Sequence, residues 1–325
     1  MIISRTPLRI SFAGGGTDLR PYYEVSPGAV IGTTINKYVY VAVNRLIDKT
    51  IKLSYWKTEI VNSIDQLEHD IVRKSLEMLE MKNGIDIVSM SDIPAGTGLG
   101  SSGSFTIGLL NALHAYKGQF VSKEQLAQEA CQVEINLLGA PIGKQDQYFA
   151  SYGGLNYIEF SPDESVFVKP AVCSLARRRE LENNLLLFYT GQARQAGIIL
   201  EQQHRQTKQE NQFTLLTKMK EIASELSRVL LEGKDMREFG NLLQQEWLYK
   251  RQVVDGITNN SIDAYYEDAC RAGALGGKLT GAGSGGFLLF YCEKDKQNHV
   301  REALKDLTEV DVAFDTQGSS IIAVS

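Results

Sequence analysis

Glycine placement is what most constrains this chain. Of its 29 glycines, 14 fall in three short stretches, residues 14–16, 96–103 and 273–286. A residue without Cβ adopts positive φ and allows close backbone approach, but it costs entropy on folding. Such clustering therefore marks places where the main chain turns sharply or meets another group. The flanks of each stretch decide between these uses. Residues 14–16 close a strand-like segment and lead to Asp18. Residues 96–103 follow the strand-like GIDIVSMSD (84–92) and open a helix over 102–116. Residues 273–286 run into a strand, GFLLFYC (286–292).

The second stretch contains Gly98-Leu-Gly100-Ser-Ser-Gly103, a G-x-G-x-x-G between strand and helix. That is the setting of a dinucleotide fingerprint, which also needs a second parallel strand and an acidic residue about 20 residues on. Here Ser122-Lys-Glu-Gln125 instead predicts a capped helix over 122–137. The dinucleotide reading fails on topology unless 118–140 hides a strand. The P-loop pattern G-x-x-x-x-G-K-[ST] is absent, as are H-R-D and D-F-G. The physical content remains. Glycines and Ser101, Ser102 and Ser104 at a helix start present unobstructed N–H groups and a partial positive charge, which suits a polyphosphate. The third stretch also matches G-x-G-x-x-G, but a strand follows it, as in a hairpin packed close against a ligand or backbone.

The rest of the chain is ordinary for a folded protein. At 325 residues it suggests two domains, and with 34 basic against 39 acidic residues it shows no basic field for nucleic acid or a membrane. The four cysteines are far apart and the histidines lack metal-ligand spacing, so neither a disulfide framework nor a zinc site is expected. Arg5 and Arg9 interrupt the N-terminal apolar segment, against a signal peptide. The longest uncharged run, between Asp92 and Lys117, carries Pro94 and five glycines and reads as a loop feeding a helix, not a membrane span. A cytoplasmic protein is expected. Strands are predicted over 2–13, 37–54, 84–92, 154–160 and 185–190, with helices over 68–82 and 144–151 and three or four between 192 and 272. A helix near 295–307 and strands near 309–314 and 319–324 complete the pattern. The pattern weakens over 161–184, where Arg177-Arg178-Arg179 reads as a solvated linker face and the domains 1–175 and 176–325 would meet. The Gln-rich 202–212 reads as a solvated helix end or mobile connection.

In order, the stretches resemble the motifs of the GHMP kinases. Pro7-Leu-Arg9 through Thr17-Asp18 is similar to the first, Pro94-Ala-Gly-Thr-Gly98-Leu-Gly100-Ser101-Ser102 to the second, and Lys278-Leu-Thr-Gly-Ala-Gly-Ser-Gly-Gly286 to the third. The resemblance implies an α+β fold in two domains. The N-terminal α/β domain would have a left-handed crossover and the C-terminal domain would be ferredoxin-like, with ATP between them. It implies that Gly96, Gly98, Leu99, Gly100, Ser101, Ser102, Gly103 and Ser104 bind ATP, and that Ser102 and Glu134 hold Mg²⁺. Asp146, in Gly143-Lys-Gln-Asp-Gln147, would be the catalytic base and Arg9 would stabilise developing charge.

Substrate follows from the same resemblance. Galactokinase-like members carry Glu-His before Thr-Asp, whereas this chain has Gly15-Gly16, which opens space for a larger or differently oriented sugar. The strings AGGGTD, TINKY and GKQDQY resemble D-glycero-D-manno-heptose 7-phosphate kinases within the family, which phosphorylate the anomeric hydroxyl to the 1,7-bisphosphate. Gly15, Gly16, Thr17, Asp18, Lys144 and Gly281 would then line the sugar site. Lys37, Lys144 and Arg194 are candidates for a substrate phosphate. An L-fucose or other hexose 1-kinase and a non-catalytic sugar- or ATP-sensing homologue are the alternatives. The partner is a small sugar or sugar phosphate, with the oligomeric state left open, a homodimer included.

Overall fold

The computed structural model describes residues 1–191 and 196–325. Strand β1 (Ile2–Ala13) is followed by a single turn, α1 (Arg20–Tyr23), and pairs antiparallel with β2 (Gly28–Arg45), placing Arg9 opposite Thr34. β2 starts before the predicted 37–54, a start masked in the local pattern by Gly28 and Gly32, which dilute its apolar run. It ends at Arg45 because Asp48 accepts the Thr50 N–H at 3.1 Å, an Asx turn that separates β2 from β3 (Ile51–Ser54). A hairpin leads to β4 (Thr58–Val61). Helix α2 (Asp70–Met78) then crosses to β5 (Ile85–Ser91), which lies parallel to β3 and antiparallel to β2.

Helix α3 (Ser101–Tyr116) lies on β1 and β2 and is buried on nearly every side, which explains its uncharged sequence. No described helix is long and apolar enough to cross a membrane. Helix α4 (Lys123–Cys131) begins where Ser122 accepts the Gln125 N–H at 3.1 Å and continues as a π-helical segment, Gln132–Leu137. Only half of the capping box forms: the Gln125 side chain is turned to Glu129, to which its amide nitrogen donates at 2.8 Å. Residues 118–140 contain no strand, which removes the dinucleotide-binding reading. Helix α5 (Gln145–Tyr152) and the hairpin of β6 (Leu155–Phe160) and β7 (Val166–Pro170) complete this half.

Helix α6 (Leu175–Asn183) occupies the segment expected to be a linker. Arg179 is exposed as expected, but Arg177 and Arg178 are half-buried. Arg177 donates to the carbonyls of Val229 and Lys234, at 2.7 and 2.6 Å, at the end of a long helix whose last carbonyls lack intrahelical partners. The second half starts with β8 (Leu185–Tyr189). Helices α7 (Ala196–Gln206), α8 (Glu210–Glu232), α9 (Arg237–Lys250) and α10 (Asn260–Arg271) follow. Then come β9 (Gly276–Leu279), β10 (Phe287–Tyr291), α11 (Gln297–Ala303) and β11 (Thr308–Glu309). The sheet order β11-β8-β10-β9 is the 4-1-3-2 arrangement of a ferredoxin-like domain. The last strands, β12 (Phe314–Asp315) and β13 (Ser320–Val324), return to the first sheet, on β2 and β1 respectively. Helices α8 and α9 pack on that sheet too, and Phe12 of β1 meets Phe239 of α9 edge to face with centroids 5.2 Å apart. The halves therefore share one core, which fixes the cleft between them.

His114, in the last turn of α3, is 4% exposed, with Nε2 2.6 Å from Glu129 and Nδ1 3.0 Å from Gln119. The Glu129 hydrogen bond raises the imidazole above its ordinary pKa despite burial. Burial pulls Glu129 upward, but the bonds from His114 and Gln125 outweigh it and leave it lowered. A raised histidine stabilises fully below its unfolded pKa of about 6.5 and stops doing so as pH rises through the folded value. The stability advantage of the native protein over His114→Gln is therefore expected to shrink above about pH 6.5. Urea unfolding at a series of pH values checks this, and a constant advantage would remove the ion pair from the account.

Candidate active site

The glycine stretches meet in one cleft of about 310 Å³ between the two halves. Gly15, Gly16 and Asp18 from the first stretch line it. So do Gly96, Gly98, Gly100, Ser101, Ser102 and Gly103 from the second, together with Arg9, Glu134 and Asp146, and Gly281 from the third.

Gly96, Gly98 and Gly100 all have positive φ, at 77°, 86° and 77°. No side chain caps α3 at Gly100, so the first N–H groups of the helix are open to an anion. The Ser101 hydroxyl is buried without a hydrogen-bond partner among the described residues. Leu99 does not face the cleft. It is fully buried, and its carbonyl accepts the Arg9 N–H at 2.9 Å, pinning the loop to β1. Ser104 is also turned inward, donating to the Pro7 carbonyl at 2.8 Å.

Arg9 is 4% exposed and donates from Nε to Asp146 Oδ1 at 2.9 Å, with Nη2 2.8 Å from the same oxygen. Its Nη1 holds the Gly98 carbonyl at 2.7 Å. One side chain thus ties the acid to the glycine loop. Asp146 Oδ2 has no donor among the described residues, and its side chain remains 29% exposed. The approach of α5 to α3 requires Gly103, where a Cβ would lie 2.9 Å from Asp146 Cβ and 3.2 Å from the Gln147 nitrogen.

Glu134 projects from the π-helical segment, a distortion found often at functional sites. It is 2% exposed, accepts from the Ser102 hydroxyl and takes the Gln147 amide at 2.7 Å. Burial pushes its carboxyl up, partly opposed by those two bonds, and nearby Asp146 adds to the rise. Asp18 is also buried and raised. Burial is the main cause, opposed by N–H groups of Gly16 at 2.9 Å and Gln145 at 3.2 Å. Gly143 is needed beside it, because a Cβ there would fall 1.9 Å from Asp18 Oδ2.

Some expected site residues lie elsewhere. Thr17 is fully buried and spends its hydroxyl on the carbonyls of Gly14 and Ala29, at 2.8 and 2.9 Å, so it shapes the turn. Lys144 does not reach the cleft. Its ammonium is held by the Glu164 carboxylate and sits 4.7 Å above the Tyr23 ring. Residues two apart at a helix start point in roughly opposite directions, so adjacency to Asp146 misplaced it. Lys37 is outside the cleft lining, and Arg194 lies outside the described residues. The space expected beside Gly16 is filled, since a Cβ there would meet Gln203 Nε2 at 2.2 Å. Gln203, read as part of a solvated helix end, is 8% exposed. Ser11, Gln145, Gln147, Lys250 and Lys278 also line the cleft. Gln145 and Gln147 flank Asp146 and Lys278 opens the third motif, but nothing local marked Lys250.

Residues 58–154 match the GHMP kinases N terminal domain and residues 226–309 the GHMP kinases C terminal domain, together more than half of the chain. A D-glycero-alpha-D-manno-heptose 7-phosphate kinase of Campylobacter jejuni is 28% identical over 94% of this chain and 93% of its own length. The L-fucokinase/L-fucose-1-P guanylyltransferase of Bacteroides fragilis is 28% identical over 95% of this chain but only 36% of that longer protein. The crystal structure of a D-glycero-D-manno-heptose 1-phosphate kinase from Bacteroides thetaiotaomicron superposes with a TM-score of 0.83 and 26% identity, covering all of both chains. With both domains matched and the three motifs gathered in one cleft, this chain belongs to the GHMP kinases.

Proposed function

We propose that the protein is a cytoplasmic, ATP- and Mg²⁺-dependent kinase that phosphorylates the anomeric hydroxyl of D-glycero-D-manno-heptose 7-phosphate, giving the 1,7-bisphosphate. The observation that carries the reading is Asp146, held on one oxygen by Arg9, which also holds the Gly98 carbonyl of the glycine loop, and without a donor on the other oxygen among the described residues. The near full-length similarity to a heptose 7-phosphate kinase supports the choice of acceptor.

In this reading the N–H groups around Gly96, Gly98, Gly100 and Ser101 hold the ATP phosphates. Asp146 accepts the proton of the attacking hydroxyl through its free oxygen, and Arg9 keeps that oxygen in place. Asp18 orients ring hydroxyls. Among the described residues no three acidic, histidine or cysteine side chains form a metal site by themselves. The hard oxygens of Ser102 and Glu134 suit Mg²⁺ completed by phosphates and water. Mg²⁺ bound there would offset charge developing on the transferred phosphoryl group. Residues 1–175 supply this chemistry and 176–325 close the cleft.

One observation favours the second reading, an L-fucose 1-kinase. Lys144, expected to neutralise a substrate phosphate, is engaged by Glu164. ADP release over a panel of free sugars and sugar phosphates separates the two. The expected result is highest kcat/KM with heptose 7-phosphate and a product phosphorylated at the anomeric carbon by ³¹P NMR. Activity confined to unphosphorylated hexoses would sink the heptose assignment in favour of the alternative. ATP binding without transfer to any acceptor would point to a sensor.

A further inference from the structure

We infer that Gln203 reads hydroxyl groups of the acceptor, as a specificity-determining side chain supplied by the second half of the molecule. The inference rests on the sugar-kinase reading above. Gln203 is 8% exposed and lines the cleft beside Gly15, Gly16, Asp18 and Leu200. Its backbone carbonyl accepts from the N–H of Thr207 at 2.9 Å and from the Thr207 hydroxyl at 2.6 Å. No described residue exchanges a hydrogen bond with its carboxamide. A carboxamide offers two donors and two acceptor sites, and at the cleft wall these remain open to whatever fills the cleft. A ligand in the cleft is the natural partner.

The position of the amide narrows the ligand. Gln203 reaches this place because residue 16 has no side chain. Gly16 sits at φ +98°, and a Cβ on it would lie 2.2 Å from Gln203 Nε2 and 2.8 Å from Leu216. The amide lies against the Gly16 turn, within the stretch that the sugar-kinase reading assigns to the acceptor. Asp18, when ionised, only accepts hydrogen bonds, whereas the Gln203 amide both donates and accepts. The pair complements a polyol, whose hydroxyls do both. Gly16 and Gln203 thus form a matched set: the glycine pair once expected to open room admits a polar reader from α7.

The test uses the intact enzyme with its best acceptor from the sugar panel. Gln203→Met keeps length and apolar volume but removes the amide, and Gln203→Glu keeps shape while removing the donors. Acceptor KM is expected to rise about tenfold in Gln203→Met, with ATP KM changed less than about twofold. Calorimetric titration of the acceptor without ATP should show the same loss. Across monodeoxy analogues of the acceptor, at least one should lose much less affinity for Gln203→Met than for the native protein, the non-additivity of groups in contact. Should one variant fail to fold, as judged by a lost ATP-induced rise in Tm, the other carries the comparison. Native-like acceptor affinity in a folded variant overturns the inference. A native enzyme that phosphorylates no sugar defeats the sugar-kinase reading instead, so the two failures are distinct.

Discussion

Asp146→Asn is expected to lower turnover by about 10²-fold or more, the range for losing a general base, while ATP affinity stays near native. The substitution is close to isosteric. An oxygen at the Oδ1 position can still receive Arg9 Nε and Nη2, now held at 2.9 and 2.8 Å. The position of Oδ2, which lacks a donor among the described residues, then becomes an amide nitrogen that cannot take a proton. Arg9 retains the Gly98 carbonyl at 2.7 Å and the Leu99 carbonyl at 2.9 Å, so the loop that would hold phosphates keeps its anchors. Steady-state kinetics together with nucleotide titration separate the effects. Unchanged turnover would remove Asp146 from proton transfer. Joint loss of turnover and ATP affinity would show that the Arg9–Asp146 pair chiefly builds the loop.

How much of this was legible in the sequence depends on the range of the interactions involved. Strand β1, strand β5 and helix α3 were readable because local pattern and glycine punctuation agree there, and the tertiary environment reinforces both. The start of β2 was missed because Gly28 and Gly32 look like loop residues when read locally. The return of β12 and β13 had no local signature: Ile2 pairs with Val324 and Thr34 with Asp315, and the sequence shows only two short apolar segments. For the site, residues within the three motifs were accessible, including Arg9, Asp18, Ser102 and Asp146. Lys144 failed because sequence adjacency on a helix is not spatial adjacency. Gln203 failed for the opposite reason, since a polar residue in a polar segment gives no sign of being buried against a distant glycine.

Lys278 shows how the third motif serves the fold as well as the site, and its removal should have the largest effect on stability. Its side chain is 3% exposed and that of Glu246, on α9, is 0% exposed. The ammonium donates to the Phe12 carbonyl at 2.9 Å and to Glu246 Oε1 at 3.3 Å, joining β9, α9 and the end of β1 just before the first glycine stretch. Burial pulls the lysine pKa down, and burial likewise pushes the glutamate up, with Lys278 and then Lys250 opposing that rise. Lys278 and Lys250 give the buried Glu246 carboxylate most of its support, with the Gly14 N–H adding less, and Oε2 has no hydrogen-bond partner among the described residues. Lys278→Met strands that group and is expected to cost about 3–5 kcal/mol, as for other buried pairs broken on one side. The remaining attraction of Lys250 favours the lower end of the range. The double variant Lys278→Met/Glu246→Leu should recover most of the loss, because replacing both partners with apolar side chains is often neutral. What remains should be about 1 kcal/mol for the hydrogen bond lost at Phe12. Equilibrium denaturation of the three proteins checks this ordering. A double variant as unstable as Lys278→Met would mean that the lysine acts through the Phe12 contact and its packing, and a single variant of native stability would remove the pair from the forces holding the two halves together.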